Sequence, residues 1–285
     1  MRIDLHCHSS ASDGTAAPAE VVSRARAAGV DVLALTDHDT VAGHPEAIME
    51  LPRGLTLVPG AELSCAVVDG GRPVSLHLLA YLFDPGNAEL ATELDALRSE
   101  RVRRAAAMVE RLVGLGAPVS LEQVLRIAAG GAIGRPHVAQ ALVEAGVVAD
   151  LPAAFGADWI GSGGRAYVPK RALDPLRAIS LVRAAGGVSV FAHPGASRRG
   201  PLVSDAVIAA MAGAGLAGLE VDHPDHDPST RDRLRALAAD LGLVVTGSSD
   251  DHGRPTGYRY GCETTAEAAY AELIGAAHGA TPIAA

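Results

Sequence analysis

Hydrophobic and polar positions follow two rhythms along this chain. Residues 1–5 read as a short strand. Residues 19–28 carry apolar positions at helical spacing, opened by Pro18 and stopped by Gly29. Residues 30–35 form an apolar run broken only by Asp31, the pattern of a strand buried on both faces. A helix is expected over 41–50, a third strand over 55–58 and a fourth over 74–81. Polar groups follow the strands. Strand and helix in alternation, with polar strand ends, predict a parallel α/β fold whose site lies at the carboxyl ends of the strands.

The rhythm then changes. Residues 87–115 read as one long helix rich in Ala, Leu, Glu and Arg, and 121–129 and 137–145 as shorter ones. Pro118, Gly130-Gly131 and Pro136 punctuate them, and no strand is expected before 165–168. Residues 86–171 are therefore expected to form a helical insertion beside the mouth of a barrel built from 1–85 and 172–285. The alternation returns with helices over 175–185, 204–214, 229–241 and 265–278, and strands over 188–192, 216–221 and 243–247.

At 285 residues the chain can bury a large core. With 48% hydrophobic and 20% charged residues it is not a disordered chain. Aromatics are only 3%, so Ala, Val, Leu and Ile must build the core. A net charge of −9 argues against broad, non-specific binding of nucleic acid, but leaves room for a local basic pocket. Cys7, Cys65 and Cys262 are widely spaced with no C-x-x-C, so a reducing cytoplasm is expected and a disulfide framework is not. No signal peptide, membrane segment or protein partner is expected.

The polar strand ends carry candidate chemistry. His6 and His8, two apart on an extended chain, leave the same side of the backbone, and Asp13 follows. Similar groups recur as Asp37 and His38, Glu62, His77, His193, Glu220 and His223, then Asp250 and His252. Histidines concentrated at successive strand ends are hard to explain as packing. Mixed imidazole and carboxylate donors without thiolates suit Mn, Fe or Zn, and there are more of them than one ion needs. Cys7 faces the other way and is expected in the core. Asp37 and Asp39 are expected to orient imidazoles rather than to bind metal. Glu220 and His223 are expected outside the ligand set, with His223 on the substrate's side as a proton donor. His44, His226 and His278 are expected in solvent. Arg101, Arg103, Arg104 and Arg111, interspersed with Glu100 and Glu110, are expected to form a salt-bridged, solvated helix face.

Six separated motifs carry a family resemblance. Asp4-Leu5-His6-Cys7-His8-Ser9, Leu35-Thr36-Asp37-His38-Asp39, Gly60-Ala61-Glu62, His77, His193-Pro194 and Ser249-Asp250-Asp251-His252-Gly253 together resemble the PHP (polymerase and histidinol phosphatase) family, in the family's order. Ile133-Gly134-Arg135-Pro136-His137-Val138-Ala139 and Tyr167-Val168-Pro169-Lys170 are similar to stand-alone phosphoesterases of the nucleoside 3′,5′-bisphosphate phosphatase type. The resemblance implies a distorted (β/α)7 barrel with a helical insertion and a site of two or three divalent ions, Mn first, Fe or Zn otherwise. It implies His6, His8, Glu62 and Asp250 around one ion. Glu62 would bridge to a second, completed by His77 and His193, and Asp13, His38 and His252 would hold a third. Asp251 stands where the family usually has an aromatic residue, which puts the local pocket wall in question.

The expected reaction is hydrolysis of a phosphate monoester of a small nucleotide, the 3′-phosphate of a nucleoside 3′,5′-bisphosphate, by metal-activated water. His6, His8, Glu62, Asp250 and His223 would carry the chemistry. Arg135 would grip a second phosphate through paired hydrogen bonds, with His137 and Lys170 beside it. The alternatives are a 5′→3′ exoribonuclease acting on short RNA, a histidinol phosphatase, and a non-catalytic module of the kind attached to DNA polymerases.

Overall fold

The computed structural model describes residues 1–170 and 172–285; Arg171, the expected end of the insertion, lies outside them. The first strand, β1 (Ile3–Cys7), is buried throughout. Its one charged residue before the histidines, Asp4, accepts from the backbone N–H groups of Ser249 (2.9 Å) and Gly261 (2.7 Å), which makes its burial tolerable. Helix α1 (Pro18–Ala27) returns the chain to β2 (Val32–Leu35), parallel to β1, and the short α2 (His44–Met49) leads to β3 (Thr56–Asp69).

Strand β3 departs from the expectation of a short parallel strand. Its first four residues pair parallel with β2, and from Gly60 onward it pairs antiparallel with β4 (Arg72–Tyr81). Gly60 sits at the change of partner, where a Cβ would lie 2.8 Å from the carbonyl oxygen of Ala80. The connection is the two-residue turn Gly70-Gly71, with φ of 54° and 75°, the left-handed geometry that a tight hairpin requires. The fourth strand is therefore antiparallel to β3, and also to β5 (Val188–Phe191). A parallel β4 would have needed a crossover of a dozen residues or so, and two are available. The Asp-Gly-Gly-Arg signal was present in the sequence.

The remaining strands, β6 (Gly218–Asp222) and β7 (Val244–Gly247), run parallel to β5. The sheet follows chain order from β1 to β7. Beyond β7 the chain returns to β1: Asp250 N–H donates to the His6 carbonyl and His8 N–H to the Asp251 carbonyl, both at 2.9 Å. The seven strands thus make a nearly closed barrel, distorted by the antiparallel pair at its middle. A two-residue strand, β8 (Ile283–Ala284), pairs with the start of β3.

Four helices lie between β4 and β5 before the alternation resumes: α3 (Ala88–Gly114), α4 (Leu121–Ala128), α5 (Arg135–Glu144) and α6 (Leu151–Ala154). Asn87 caps α3 and Ser120 caps α4, each accepting from a backbone N–H of the first turn. The long α3 serves two cores. Leu90, Leu94 and Leu97 join the cluster shared with β3, β4 and α7 (Pro175–Ala184). Met108 and Leu112 join a separate cluster with Val124, Leu142 and Ile160. The strand expected over 165–168 is irregular chain. Helices α8 (Asp205–Gly213), α9 (Pro228–Leu241) and α10 (Glu267–Ala276) cover the later strands. Among the described residues no helix is long and apolar enough to cross a membrane.

Candidate metal centre

The ends of the strands converge on one buried cluster. His6 and His8 come from the end of β1, and His38 follows β2. His193 follows β5, and Asp250 and His252 follow β7. Glu62 and His77 come instead from within β3 and β4, because that hairpin runs on past the mouth; Ser64 pairs with His77 and Glu62 with Leu79. Two of the donor positions, His193 (φ 34°) and Asp250 (φ 48°), have left-handed backbone, as does Asp39 (φ 55°). Such strain persists only where the surroundings enforce it.

His6 Nε2, His8 Nε2, Glu62 Oε2 and Asp250 Oδ1 face a common point. The two imidazole nitrogens are 3.0 Å apart. Glu62 Oε2 is 3.3 Å from His6 and 3.1 Å from His8, and Asp250 Oδ1 is 3.2 Å from each. Donors held at about 2.1 Å from one tetrahedral ion lie about 3.4 Å apart, so this spacing fits a metal closely. Glu62 is also 3.1 Å from His38 Nδ1 through Oε2, and through Oε1 2.7 Å from His77 Nδ1 and 3.1 Å from His193 Nε2. Asp13 reaches His252 Nε2 at 3.5 Å and His38 Nε2 at 3.7 Å, and His252 stacks on His8 with ring centroids 4.1 Å apart. His38 thus lies between two groups, with one nitrogen towards each.

The fit to metal rests on unpaired atoms. Glu62 Oε2, Asp250 Oδ1, His38 Nδ1 and His77 Nδ1 are buried without a hydrogen-bond partner. They stand close to one another, yet their lone pairs are not aimed at one another's protons. Buried polar atoms left this way are costly unless something else meets them. Burial would lower the basicity of His6 and His8, but the carboxylates around them prevail. Asp250, Glu220 and Glu62 raise His6 well above its ordinary value, and Asp250 and Glu62 raise His8 to about 10. Protons on these rings stand where divalent cations would balance the same carboxylates.

A second layer of groups fixes the first. Glu220 takes no place in the cluster itself. Its Oε1 accepts from His6 Nδ1 at 3.0 Å, which leaves His6 Nε2 free to face inward. Ser248 donates to the same Oε1, and the other oxygen, Oε2, accepts the backbone N–H of His193 at 2.6 Å. His223 is fully buried behind Asp250. Its Nδ1 accepts from Asp225 N–H at 3.0 Å, and its Nε2 donates to Asp250 Oδ2 at 3.3 Å. Both nitrogens are thereby engaged within the protein, and His223 braces Asp250, a place different from the substrate-side or proton-donor position expected of it. Arg199, on the turn Ser197–Arg199 after His193-Pro194, donates to Asp250 Oδ2 at 2.6 Å and to Asp225 at 2.7 Å. Sequence reasoning passed over it, although the Arg198-Arg199 pair so soon after a histidine motif was a signal.

Several residues take roles other than those expected. Among the described residues Asp37 makes no hydrogen bond to an imidazole; it accepts from Ser9 N–H, the Ser9 hydroxyl and the Ser12 hydroxyl, and so holds the loop after His8. Asp39 pairs with Arg101 at 2.6 Å and accepts from Ser64 N–H at 2.7 Å. Arg101 is no solvated residue: its side chain is only 14% exposed, and it also donates to the Ser64 hydroxyl and to the Ile133 carbonyl. His44 and His226 are buried as well. His44 Nε2 donates to the Gly60 carbonyl at 2.9 Å, and His226 accepts from Gly195 N–H at 3.0 Å, bracing the turn after His193. Asp251 points away from the cluster into its own loop, accepting from Gly253 N–H, the Thr256 hydroxyl and Arg259 N–H. Cys7 is buried as expected, and His278 is exposed.

The three residues expected to bind substrate separate. Lys170 reaches the cluster, with Nζ 3.0 Å from His77 Nε2, and burial lowers it to about 8. His137 spends Nδ1 on capping α5, accepting from Gly134 N–H at 2.9 Å. Arg135 opens α5, half-buried, with its guanidinium carbon 5.4 Å from the Phe155 ring centroid and 5.9 Å from that of Tyr167.

A barrel mouth that gathers six imidazoles and three carboxylates around unpaired lone pairs belongs to the class of metal-dependent hydrolases. Comparison with known proteins narrows the class. Residues 4–91 match the PHP domain. Over 253 residues the chain is 34% identical to a 5′-3′ exoribonuclease of Haemophilus influenzae, covering 88% of this chain and 90% of that protein. Over 259 residues it is 33% identical to a 3′,5′-nucleoside bisphosphate phosphatase of Chromobacterium violaceum, covering 90% and 89%. The fold superposes on a protein of Bifidobacterium adolescentis described as a metal-dependent phosphoesterase, with a TM-score of 0.89 and 37% identity over 97% of this chain and 96% of that one. The chain belongs to the PHP family and is a hydrolase of phosphoric esters.

Proposed function

We propose that this enzyme removes a phosphate monoester from a small nucleotide, most directly the 3′-phosphate of a nucleoside 3′,5′-bisphosphate. The observation that carries the reading is the set of buried, unpaired donor atoms on Glu62, Asp250, His38 and His77. His6, His8, Glu62 and Asp250 would hold one divalent ion. Glu62, His77 and His193 would hold a second, and Asp13, His38 and His252 a third. Manganese suits these donors, with iron or zinc as alternatives. Ions bound there lower the pKa of water and neutralise phosphoryl oxygens. Around them, Glu220 keeps His6 turned inward and His223 and Arg199 hold Asp250. Lys170, against His77, stands where it can meet a phosphoryl oxygen. The helical insertion of residues 86–171 serves as a lid that holds the rest of the substrate, with Arg135 gripping the non-reacting phosphate and His137 setting the start of α5. The relative from Chromobacterium violaceum supports this substrate class.

The second reading, a 5′→3′ exoribonuclease on short RNA, is favoured by the relative from Haemophilus influenzae. One experiment separates them: metal analysis of the purified protein, then phosphate or nucleotide release from nucleoside bisphosphates, monophosphates, histidinol phosphate and 5′-phosphorylated oligonucleotides. Selective 3′-dephosphorylation of the bisphosphate is the expected result. Stepwise release of mononucleotides from RNA with an inert bisphosphate would overturn it.

A further inference from the structure

Between α3 and the start of α5 lies a small cleft whose lining includes Arg101, Arg104, Met108, Ile133, Gly134 and Arg135. Three of the eight lining residues are arginines. Arg101 is neutralised by Asp39. Arg104 and Arg135 are not: both are half-buried and neither is in an ion pair among the described residues, although Glu100 and Asp39 line the adjoining cleft with Arg104. The nearest acidic residue along the helix, Glu100, is engaged with Arg103 at 2.8 Å. The two guanidinium carbons lie 5.7 Å and 5.9 Å from the centroid of one ring, that of Tyr167. The Arg104 side chain is held in place, since its Nε donates to the Val168 carbonyl at 2.7 Å. Burial and the neighbouring Arg135 lower Arg104 to about 10. Two like charges half out of water, with no ion-pair partner, are unfavourable unless an anion joins them. The cleft also adjoins the metal centre. A Cβ on Gly134 would lie 3.4 Å from Asp13 Oδ2, and Ala132 N–H donates to the Ala11 carbonyl at 2.8 Å.

We propose that Arg104 and Arg135, set about the Tyr167 ring, form a phosphate subsite in which Arg104 determines specificity for a substrate bearing a second, non-reacting phosphate. A fork of guanidinium donors matches the oxygens of a terminal phosphate dianion, and a charge-assisted pair of this kind is the strong sort of hydrogen bond. The proposal rests on the reading that the substrate is a nucleotide, and it adds the residue on α3 that meets the phosphate opposite Arg135. The phosphate can belong to a mononucleotide or to the 5′ end of a short RNA; the chemistry is shared.

The test is calorimetric binding to the metal-loaded full chain, which does not depend on turnover. The probes are adenosine 5′-monophosphate, adenosine, and a 5′-phosphorylated diadenylate. Arg104→Gln is expected to raise the Kd of the monophosphate by about tenfold to a hundredfold and to leave that of adenosine within twofold. Arg103→Ala, one residue away on the exposed face, should change neither. Loss on the monophosphate alone assigns the subsite to mononucleotides, and loss on both phosphorylated probes assigns it to the 5′ end of a chain. An unchanged monophosphate Kd, or an equal loss on adenosine, overturns the proposal. Should Arg104→Gln fail to fold, Arg104→Lys replaces it. A loss of threefold or more confined to phosphorylated probes then supports the subsite, and wild-type binding overturns it. Were the bisphosphate not hydrolysed while the monophosphate still bound through Arg104, the substrate reading would fail and the subsite would stand.

Discussion

The barrel mouth and the cleft of the insertion are opposite in charge and were unequally visible in the sequence. At the mouth, Glu62, Asp250 and Asp13 face imidazoles across distances that suit cations. In the cleft, Arg104 and Arg135 form no ion pair among the described residues. Each half would be costly alone, since buried charge without a partner is unfavourable. A molecule with phosphate at two ends, one towards the ions and one towards the arginines, relieves both. The comparison explains why hydrolysis and selection can be separated: the mouth supplies chemistry common to many phosphate esters, and the cleft supplies binding energy remote from the reacting bond.

The largest expected effect breaks the mouth. His8→Ala removes a donor that lies within 3.2 Å of both Glu62 and Asp250. Hydrolysis should fall by orders of magnitude and the metal content with it, while the far-ultraviolet circular dichroism spectrum stays that of the parent. Full activity in an exhaustively metal-free preparation would refute the whole assignment of the mouth.

The joint between the halves comes next. Arg101→Met leaves the buried Asp39 carboxylate without its ion-pair partner, at a cost of roughly 3 to 5 kcal/mol. Urea denaturation should show this as a lower midpoint with an unchanged slope. A midpoint equal to the parent's would mean that the Arg101–Asp39 pair does not hold α3 to the barrel.

Breaking the cleft should alter selection more than chemistry. Arg135→Ala is expected to lower kcat/KM on a nucleoside 3′,5′-bisphosphate on the order of 10²-fold, for a charge-assisted contact worth about 3 kcal/mol. A small generic monoester should lose much less. Equal losses on both would place Arg135 in folding or at the metals, and the division between mouth and cleft would collapse.

The smallest effect sharpens the same contrast. Arg103 shares α3 with Arg101 and Arg104, but its side chain is 65% exposed and pairs with Glu100. Arg103→Ala should shift stability by less than about 0.5 kcal/mol and leave substrate preference alone. A loss of selectivity equal to that of Arg135→Ala would show that the whole helix face, rather than its buried side, carries the positive potential.

The sequence by itself determined which candidate donors stand at the ends of the strands, and most of the βα alternation. Both are local signals: a period of two puts His6 and His8 on one side of a strand, and apolar runs mark the buried strands that carry them. It also contained the Gly70-Gly71 turn, whose left-handed φ values make the hairpin, although the strand rhythm around it suggested a parallel continuation. Only the tertiary structure decided that β3 and β4 run past the mouth, so that Glu62 and His77 reach the cluster from mid-strand. Only it decided that Glu220 and His223 stand behind His6 and Asp250, and that His44 and His226 are interior. The arginines of α3 show the reason most clearly. Arg101, Arg103 and Arg104 are near neighbours of one residue type on one helix; helical period sets Arg101 and Arg104, three apart, on one side and Arg103 on another, without saying which side is covered. Burial is set by what packs against that helix from far along the chain: Asp39 and Ser64 on Arg101, Val168 and Tyr167 on Arg104, and water on Arg103.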